Sequence, residues 1–390
     1  MKVIFVFHDS ERNNGANHSM MDVIDYISIH NGVEPLLIFP KLKGSAIDYA
    51  TKQGYQVYTC RYGRWDFPNS FKGLKKTQYF IKWFVKLILT VPTYYTLKKL
   101  IRENDTKLIY TNTYAVFLGA WLNKKTGIPH IWHIREFGKE DHNFKLIFGD
   151  KVLYKYLNDY TNRIVFISQS ISAKYLPYIS EKDKCFVLYN DIAEPLCNRK
   201  ARWSDTETIR ILIAGTLQEG KGQLEAIKAV KLLKETYALT RFKLYIAGTP
   251  KGEYFQKLND YVLDNNLIQY VEFCGYVSEM TALREKMHIG VVASSSEAFG
   301  RVTVEGMLSG MLMIGADAAG TSELITDGLN GYLYPLHKHE KLAEILFQSC
   351  MNIPKTREVA TTGCKMASEK FAQYRTSEAI GKIINKLCKK

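Results

Sequence analysis

Short apolar, β-branched runs alternate along this chain with longer amphipathic stretches, and polar residues gather where each run ends. Lys2–Phe7 is the first run, closed by His8-Asp9. After a polar loop, Met20, Met21, Ile24 and Ile27 recur at the spacing of one helix face. Runs at Pro35–Phe39, Tyr55–Thr59, Leu108–Thr111, Ile128–Ile134 and Arg163–Ile167 predict further strands with helices between them. Between Glu194 and Glu207 the chain turns polar. The alternation then restarts at Ile209–Ala214, Phe242–Ala247, Val271–Cys274, His288–Ala293 and Met311–Ile314. This order predicts two doubly wound parallel sheets, in domains 1–195 and 208–370, with a linker at 196–207 and a helix in 371–390. Such sheets bind ligands off the carboxyl ends of their strands.

Length and composition add the expectation of a soluble protein of two or three domains: 390 residues, 46% hydrophobic and 24% charged. The seven cysteines are scattered and never in C-x-x-C spacing, which points to reduced thiols in a cytosolic compartment. The first apolar run is too short for a signal peptide. Net charge is +14 and uneven: residues 1–200 hold 29 Lys+Arg against 18 Asp+Glu, and residues 51–100 hold 10 against 1. An anionic partner of the first half follows, whether membrane surface, nucleic acid or phosphorylated acceptor; a solvated lysine-rich face is the plain alternative. Within this basic region Tyr79–Leu89 is aromatic and aliphatic, with Lys82 and Lys86 one helical turn apart, and the pattern ends at Pro92. It reads as a crossover helix packed on the sheet or as a basic amphipathic helix lying in a membrane interface; one element can be both. It is too short and too charged to span a bilayer.

Candidate chemistry concentrates at Ser294–Glu305. A strand precedes it, a helix follows, and Gly310 is placed to end that helix. Glu297 falls in the loop and Glu305 near the helix start, with seven residues between them, Phe299-Gly300 included. Gly300 lets the backbone approach a ligand, and the first amides of the helix, at Arg301, Val302 and Thr303, form an anion site. A carboxylate on each side suits a diphosphate flanked by hydroxyl-rich sugars. A second glycine-rich turn, Gly215 to Gly222, follows the Ile211–Ala214 strand. It misses the P-loop pattern, because Gly222 stands where a magnesium-binding hydroxyl is needed. Lys221 there opposes the helix dipole unless an anion is bound.

These residues resemble the E-x7-E signature and Lys-Gly turn of the group 1, retaining glycosyltransferases of GT-B fold. The resemblance is strong over 209–335 and loose over 1–200. It implies two Rossmann-like domains facing across a cleft, the first binding the acceptor and the second the nucleotide sugar, with the last helix returning to the first domain. It places Glu305 on the donor's ribose, Glu297 at the transferred sugar, and the backbone of Phe299, Gly300, Arg301 and Val302 along sugar and diphosphate. Lys221 matches the cationic clamp, while Thr216 stands where the family carries Arg. Arg301 or Arg135 could replace it. Tyr276, in Cys274-Gly275-Tyr276, resembles the turn that reads the nucleotide base. Gly15, in Asn14-Gly15-Ala16, resembles the Gly-Gly-Ala loop under the donor phosphates, Asn being tolerated for its access to the left-handed region. At the end of the Ile128–Ile134 strand, near the reacting sugar, the family's His aligns with Arg135 and His133 lies two residues earlier, so the resemblance makes both catalytic candidates beside Glu297.

The reaction implied moves a hexose-type sugar, with retention, from a nucleotide-diphosphate donor such as a UDP-sugar. The acceptor is a glycan or lipid-linked glycan of bacterial surface polysaccharide synthesis. No cofactor and no metal are expected, and the chain is placed in the cytoplasm, peripheral on an anionic membrane. Two other readings stay open: an anionic-polymer or nucleic-acid binder on a Rossmann scaffold, which is not favoured, and a GT-B-shaped nucleotide-sugar epimerase.

Overall fold

A computed structural model describes residues 1–12, 14–68, 73–192, 208–250 and 252–389. The chain divides into two compact units, Met1–Asp191 with Tyr374–Lys390, and Ile192–Gln373. The predicted linker, 196–207, lies outside the described residues.

Unit 1 begins β1 (Lys2–Val6), α1 (Gly15–His30), β2 (Glu34–Phe39), α2 (Ser45–Lys52), β3 (Gln56–Thr59), β4 (Asp66–Pro68) and α3 (Gly73–Glu103). It continues β5 (Leu108–Asn112), α4 (Leu118–Thr126), β6 (His130–Ile134), α5 (Lys139–His142), β7 (Phe144–Leu146), α6 (Asp150–Asp159), β8 (Arg163–Phe166), α7 (Gln169–Tyr175) and β9 (Cys185–Val187). Seven strands form a parallel sheet in the order β3-β2-β1-β5-β6-β8-β9, while β4 and β7 pair antiparallel beside it. The alternation of β1 sorts its side chains onto two faces. Val3, Phe5 and Phe7 pack with Met20, Met21, Ile24 and Ile27 of α1. Ile4 and Val6 pack with Tyr94, Leu97 and Leu118 on the other face. Both faces are covered, so the strand is apolar throughout.

Two expectations are corrected here. Pro92 does not end the helix; α3 runs through it for 31 residues. Proline removes one backbone donor, but the helix here is anchored from outside. Thr93 Oγ1 donates to the Arg61 carbonyl at 2.7 Å, and Gly63 N–H donates to Thr90 Oγ1 at 2.9 Å. Asn14 does not use the left-handed region: it is extended (φ −83°, ψ 141°) and caps α1, its side chain accepting from Asn17 N–H.

Unit 2 comprises β10 (Ile209–Ala214), α8 (Gln223–Glu235), β11 (Phe242–Ala247), α9 (Gly252–Asp264), β12 (Val271–Gly275), α10 (Met280–Arg284), β13 (Ile289–Val292), α11 (Arg301–Leu308), β14 (Leu312–Ala316), α12 (Ala319–Leu324), β15 (Tyr332–Tyr334), α13 (His339–Met351) and α14 (Ile353–Phe371). Its six strands are all parallel, in the order β12-β11-β10-β13-β14-β15. The chain then returns to unit 1 through α15 (Arg375–Cys388). Ile380 and Ile384 of that helix complete the α1 face of the first sheet. Its start is held by Asp191, whose carboxylate accepts from Thr376 N–H (3.1 Å), Ser377 N–H (2.8 Å) and Ser377 Oγ (2.7 Å). A carboxylate at a helix start also meets the favourable end of the dipole.

Candidate active site

In unit 2, β10 and β13 are parallel neighbours, so their following loops leave the same edge side by side. The two glycine-bearing turns interlock. Ser295 N–H and Ser294 Oγ both donate to the Gly220 carbonyl, at 3.1 and 3.2 Å. Gly222 has φ +71°, and a Cβ there would meet the Ala293 carbonyl oxygen at 2.3 Å. No side chain fits that approach. A third loop joins from β14: Gly320 N–H donates to the Glu297 carbonyl at 2.8 Å.

On this scaffold Lys221 Nζ meets Glu297 Oε1 at 2.5 Å. Glu305 lies in the second turn of α11 and is buried. Arg301 Nε reaches its Oε1 at 2.5 Å, and Arg284 from α10, itself buried, grips Oε2. Lys221 thus meets the start of the loop-and-helix segment that carries Glu305 further along. Gly300 caps α11 with φ +90°, and Gly310 at φ +73° terminates it. The anion site is smaller than expected, since Thr303 N–H already donates to the Gly300 carbonyl at 2.9 Å.

The other candidates of this unit are more scattered. Thr216 is exposed in the β10 loop, its carbonyl held by Gln223 Nε2 at 3.0 Å. Tyr276 is exposed beyond β12, at the far edge of the sheet. Val302 lines a small cavity with Arg284 and Gly306. The Phe299 ring is buried against Phe371, centroids 5.8 Å apart, which leaves its backbone for the expected contact. Arg284 escaped sequence reading because it sits in Arg284-Glu285-Lys286, which looks like solvated helix surface, and its partner is remote in the chain.

In unit 1, β6 ends at Ile134 and Arg135 follows, at the edge where ligands are expected. Arg135 is buried and donates from Nε to Asn112 Oδ1 (2.6 Å) and from its terminal nitrogens to Asn190 Oδ1 (2.7 Å) and His133 Nδ1 (3.2 Å). Asn112 in turn donates to the Ala16 carbonyl at 3.2 Å, which ties Arg135 to the start of α1 beside Gly15. Guanidinium has only donors, so His133 Nδ1 accepts and the ring proton sits on Nε2. Burial first, and then Arg135, hold the His133 pKa well below its ordinary value. His133 is fully enclosed and its acceptor nitrogen is already occupied by Arg135 and by Tyr110 Oη at 2.8 Å. The expected catalytic role is corrected accordingly: His133 is a positioning residue for Arg135.

Glu136, next along the chain, has no motif to mark it in the sequence. Its Oε2 accepts only long bonds from Tyr114 N–H (3.4 Å) and Arg135 N–H (3.3 Å). Burial, then the neighbouring Asp141, push its carboxyl up to about 8 from 4.5, against the opposing pull of Arg64. The folded protein thus binds this proton more tightly than the unfolded chain. The stabilisation is complete below pH 4.5 and is lost as pH rises through about 8. The slope in that window is at most about 1.4 kcal/mol per pH unit. Urea midpoints measured across the window should fall for the native protein and stay flat for Glu136→Gln.

The six described cysteines are unpaired, and Cys197 lies outside the described residues. No group of His, Cys, Asp or Glu among the described residues could hold a metal.

Residues 198–361 match the family described as glycosyl transferases, group 1. This part of the chain is a group 1 glycosyl transferase domain. The chain is 26% identical over 295 residues to an uncharacterized glycosyltransferase of Methanocaldococcus jannaschii, covering 74% of this chain and 78% of that one. It is 24% identical over 244 residues to the poly(glycerol-phosphate) alpha-glucosyltransferase of Bacillus subtilis, covering 62% of this chain but 35% of that protein. In three dimensions the chain is similar to Anabaena HepE, crystallised with UDP and glucose, at a TM-score of 0.77, 19% identity and coverage of 99% and 100%. Its two units have the GT-B fold.

Proposed function

We propose that this glycosyltransferase moves a hexose-type sugar, with retention, from a UDP-sugar to a glycan or lipid-linked glycan. The setting is bacterial surface polysaccharide synthesis at the inner face of an anionic membrane. The observation that carries the reading is the Lys221–Glu297 pair at the head of the segment that bears Glu305. An arriving diphosphate takes Lys221 from Glu297 and brings two negative oxygens against the start of α11. Glu297, released, faces the sugar hydroxyls, and Glu305 takes the ribose. Lys221 and the amides at Gly300, Arg301 and Val302 then stabilise the charge that grows on the departing diphosphate. This charge balance requires no dedicated metal. HepE, named above as a complex with UDP and glucose, supports the choice of donor.

The test is a thermal-shift panel of UDP, GDP, ADP and dTDP and their sugars, with and without EDTA. A ligand that binds the folded state alone raises the midpoint, by about 2.7 kcal/mol of stability at a hundredfold excess over Kd. UDP and its sugars should give the largest shift, unchanged by EDTA. A flat response to every nucleotide would remove the reading, and product of inverted anomeric configuration would remove the retaining part.

A further inference from the structure

Helix α3 is far longer than the sheet it crosses. Its 31 residues extend roughly 46 Å, against about 17 Å for the five residues of β5. The second half does the packing: Tyr94, Leu97, Leu100 and Ile101 enter the core with Ile4 and Val6. The first half does not. Among its described side chains, 73–89 bury only Trp83. The surplus lies at the carboxyl edge of the sheet. Trp83 Nε1 donates to the Arg64 carbonyl (2.6 Å), and Trp65 Nε1 to the carbonyl of Tyr114 (2.6 Å), just past β5. Arg135 leaves the same edge.

The surface of this overhang is apolar. Nine of the twenty exposed large apolar side chains among the described residues are on α3. Leu74, Ile81, Ile88 and Tyr95 recur every seven residues, and Phe84 and Val91 fill the positions three further on, so they form one stripe. Phe80 and Val85 widen it on both sides. The helix carries seven Lys+Arg against one acid, Glu103, at its end. That balance decides between occupants. A second copy would set lysines against lysines with no carboxylate to answer them, and the places flanking a coiled-coil seam hold Phe80 and Val85 where paired charges belong. A lipid leaflet with anionic headgroups answers both features, apolar stripe and lysine flanks. No described helix is long and apolar enough to cross a membrane.

We propose that the outward stripe of α3 lies in the interface of an anionic bilayer, and that this seat presents the acceptor edge of unit 1 to a lipid-borne substrate. The acceptor part of this statement rests on the proposed transfer reaction; the lipid seat does not. The test is co-sedimentation of the full chain with vesicles of phosphatidylcholine alone or mixed equally with phosphatidylglycerol, without nucleotide. The native protein should pellet with the mixed vesicles, and less so as salt rises. Ile81→Glu with Phe84→Glu should lower partitioning on the order of tenfold or more, and Lys82→Glu with Lys86→Glu should abolish the preference for anionic lipid. All four side chains are exposed, so circular dichroism and the UDP thermal shift should be unchanged. Equal recovery with both vesicle types would overturn the proposal. So would a dimer, seen by sedimentation equilibrium, that the Ile81→Glu, Phe84→Glu pair dissociates. A UDP shift retained while vesicle binding fails would leave the transfer reaction standing and remove only the seat.

Discussion

Lys221→Ala is expected to cut transfer by roughly a hundredfold to a thousandfold, the range for removing one preorganised charge from a developing anion. Two consequences of the substitution have to be separated. The side chain is 29% exposed and its fold contacts are few beyond Glu297, so stability should change little. The turn around it is fixed independently, by Gly222 against Ala293 and by the bonds to the Gly220 carbonyl. Glu297 loses its partner and is left beside the donor's own negative charge. Donor affinity should therefore fall along with turnover, and the UDP-induced thermal shift should shrink or vanish. Lys221→Arg keeps the charge but not the compact ammonium, and should recover binding more than rate. Steady-state kinetics of both variants, read beside their unliganded melting points, check this. A Lys221→Ala enzyme with native turnover would take the diphosphate site away from these turns.

The second large effect concerns stability. Glu305 is buried between Arg284 and Arg301. Glu305→Ala leaves the buried Arg284 guanidinium without that carboxylate. Breaking a buried pair from one side costs about 3–5 kcal/mol, far more than the pair contributes against an apolar replacement. A chemical melt should show this as a lowered midpoint with an unchanged slope. Arg284→Met combined with Glu305→Leu should recover most of the lost stability, since the buried guanidinium is removed together with its carboxylate and Arg301 is the more exposed of the two arginines. The same double variant should stay inactive, because the proposed ribose contact needs the carboxylate. If the double variant were as unstable as the single one, the ion pair would not be the source of the loss.

Much of the fold was legible because a parallel strand covered on both faces is apolar throughout. Lys2–Phe7, Ile209–Ala214 and Phe242–Ala247 are strands within a residue of where the pattern puts them. Short strands held by their surroundings left no such trace. Asp66–Pro68 and Phe144–Leu146 pair with each other far apart in sequence, and neither has an apolar run. Local rules also lost to tertiary support at Pro92, inside a helix tied to Arg61 and Gly63 by threonines. At the site, Lys221, Glu297 and Glu305 were visible because glycines and carboxylates keep a fixed spacing there. Arg284 and the burial of His133 were not, since both depend on which residues of other elements come to lie against them.

The return of α15 to unit 1 sets an order of events during synthesis. The layer that holds Val3, Phe5 and Phe39 is closed in part by Ile380 and Ile384. Those residues emerge from the ribosome only after all of unit 2 has been made. The amino-terminal half must therefore wait, partly open, while the later half folds ahead of it. Domains usually mature in the order of their translation; here the unit begun first is the one finished last.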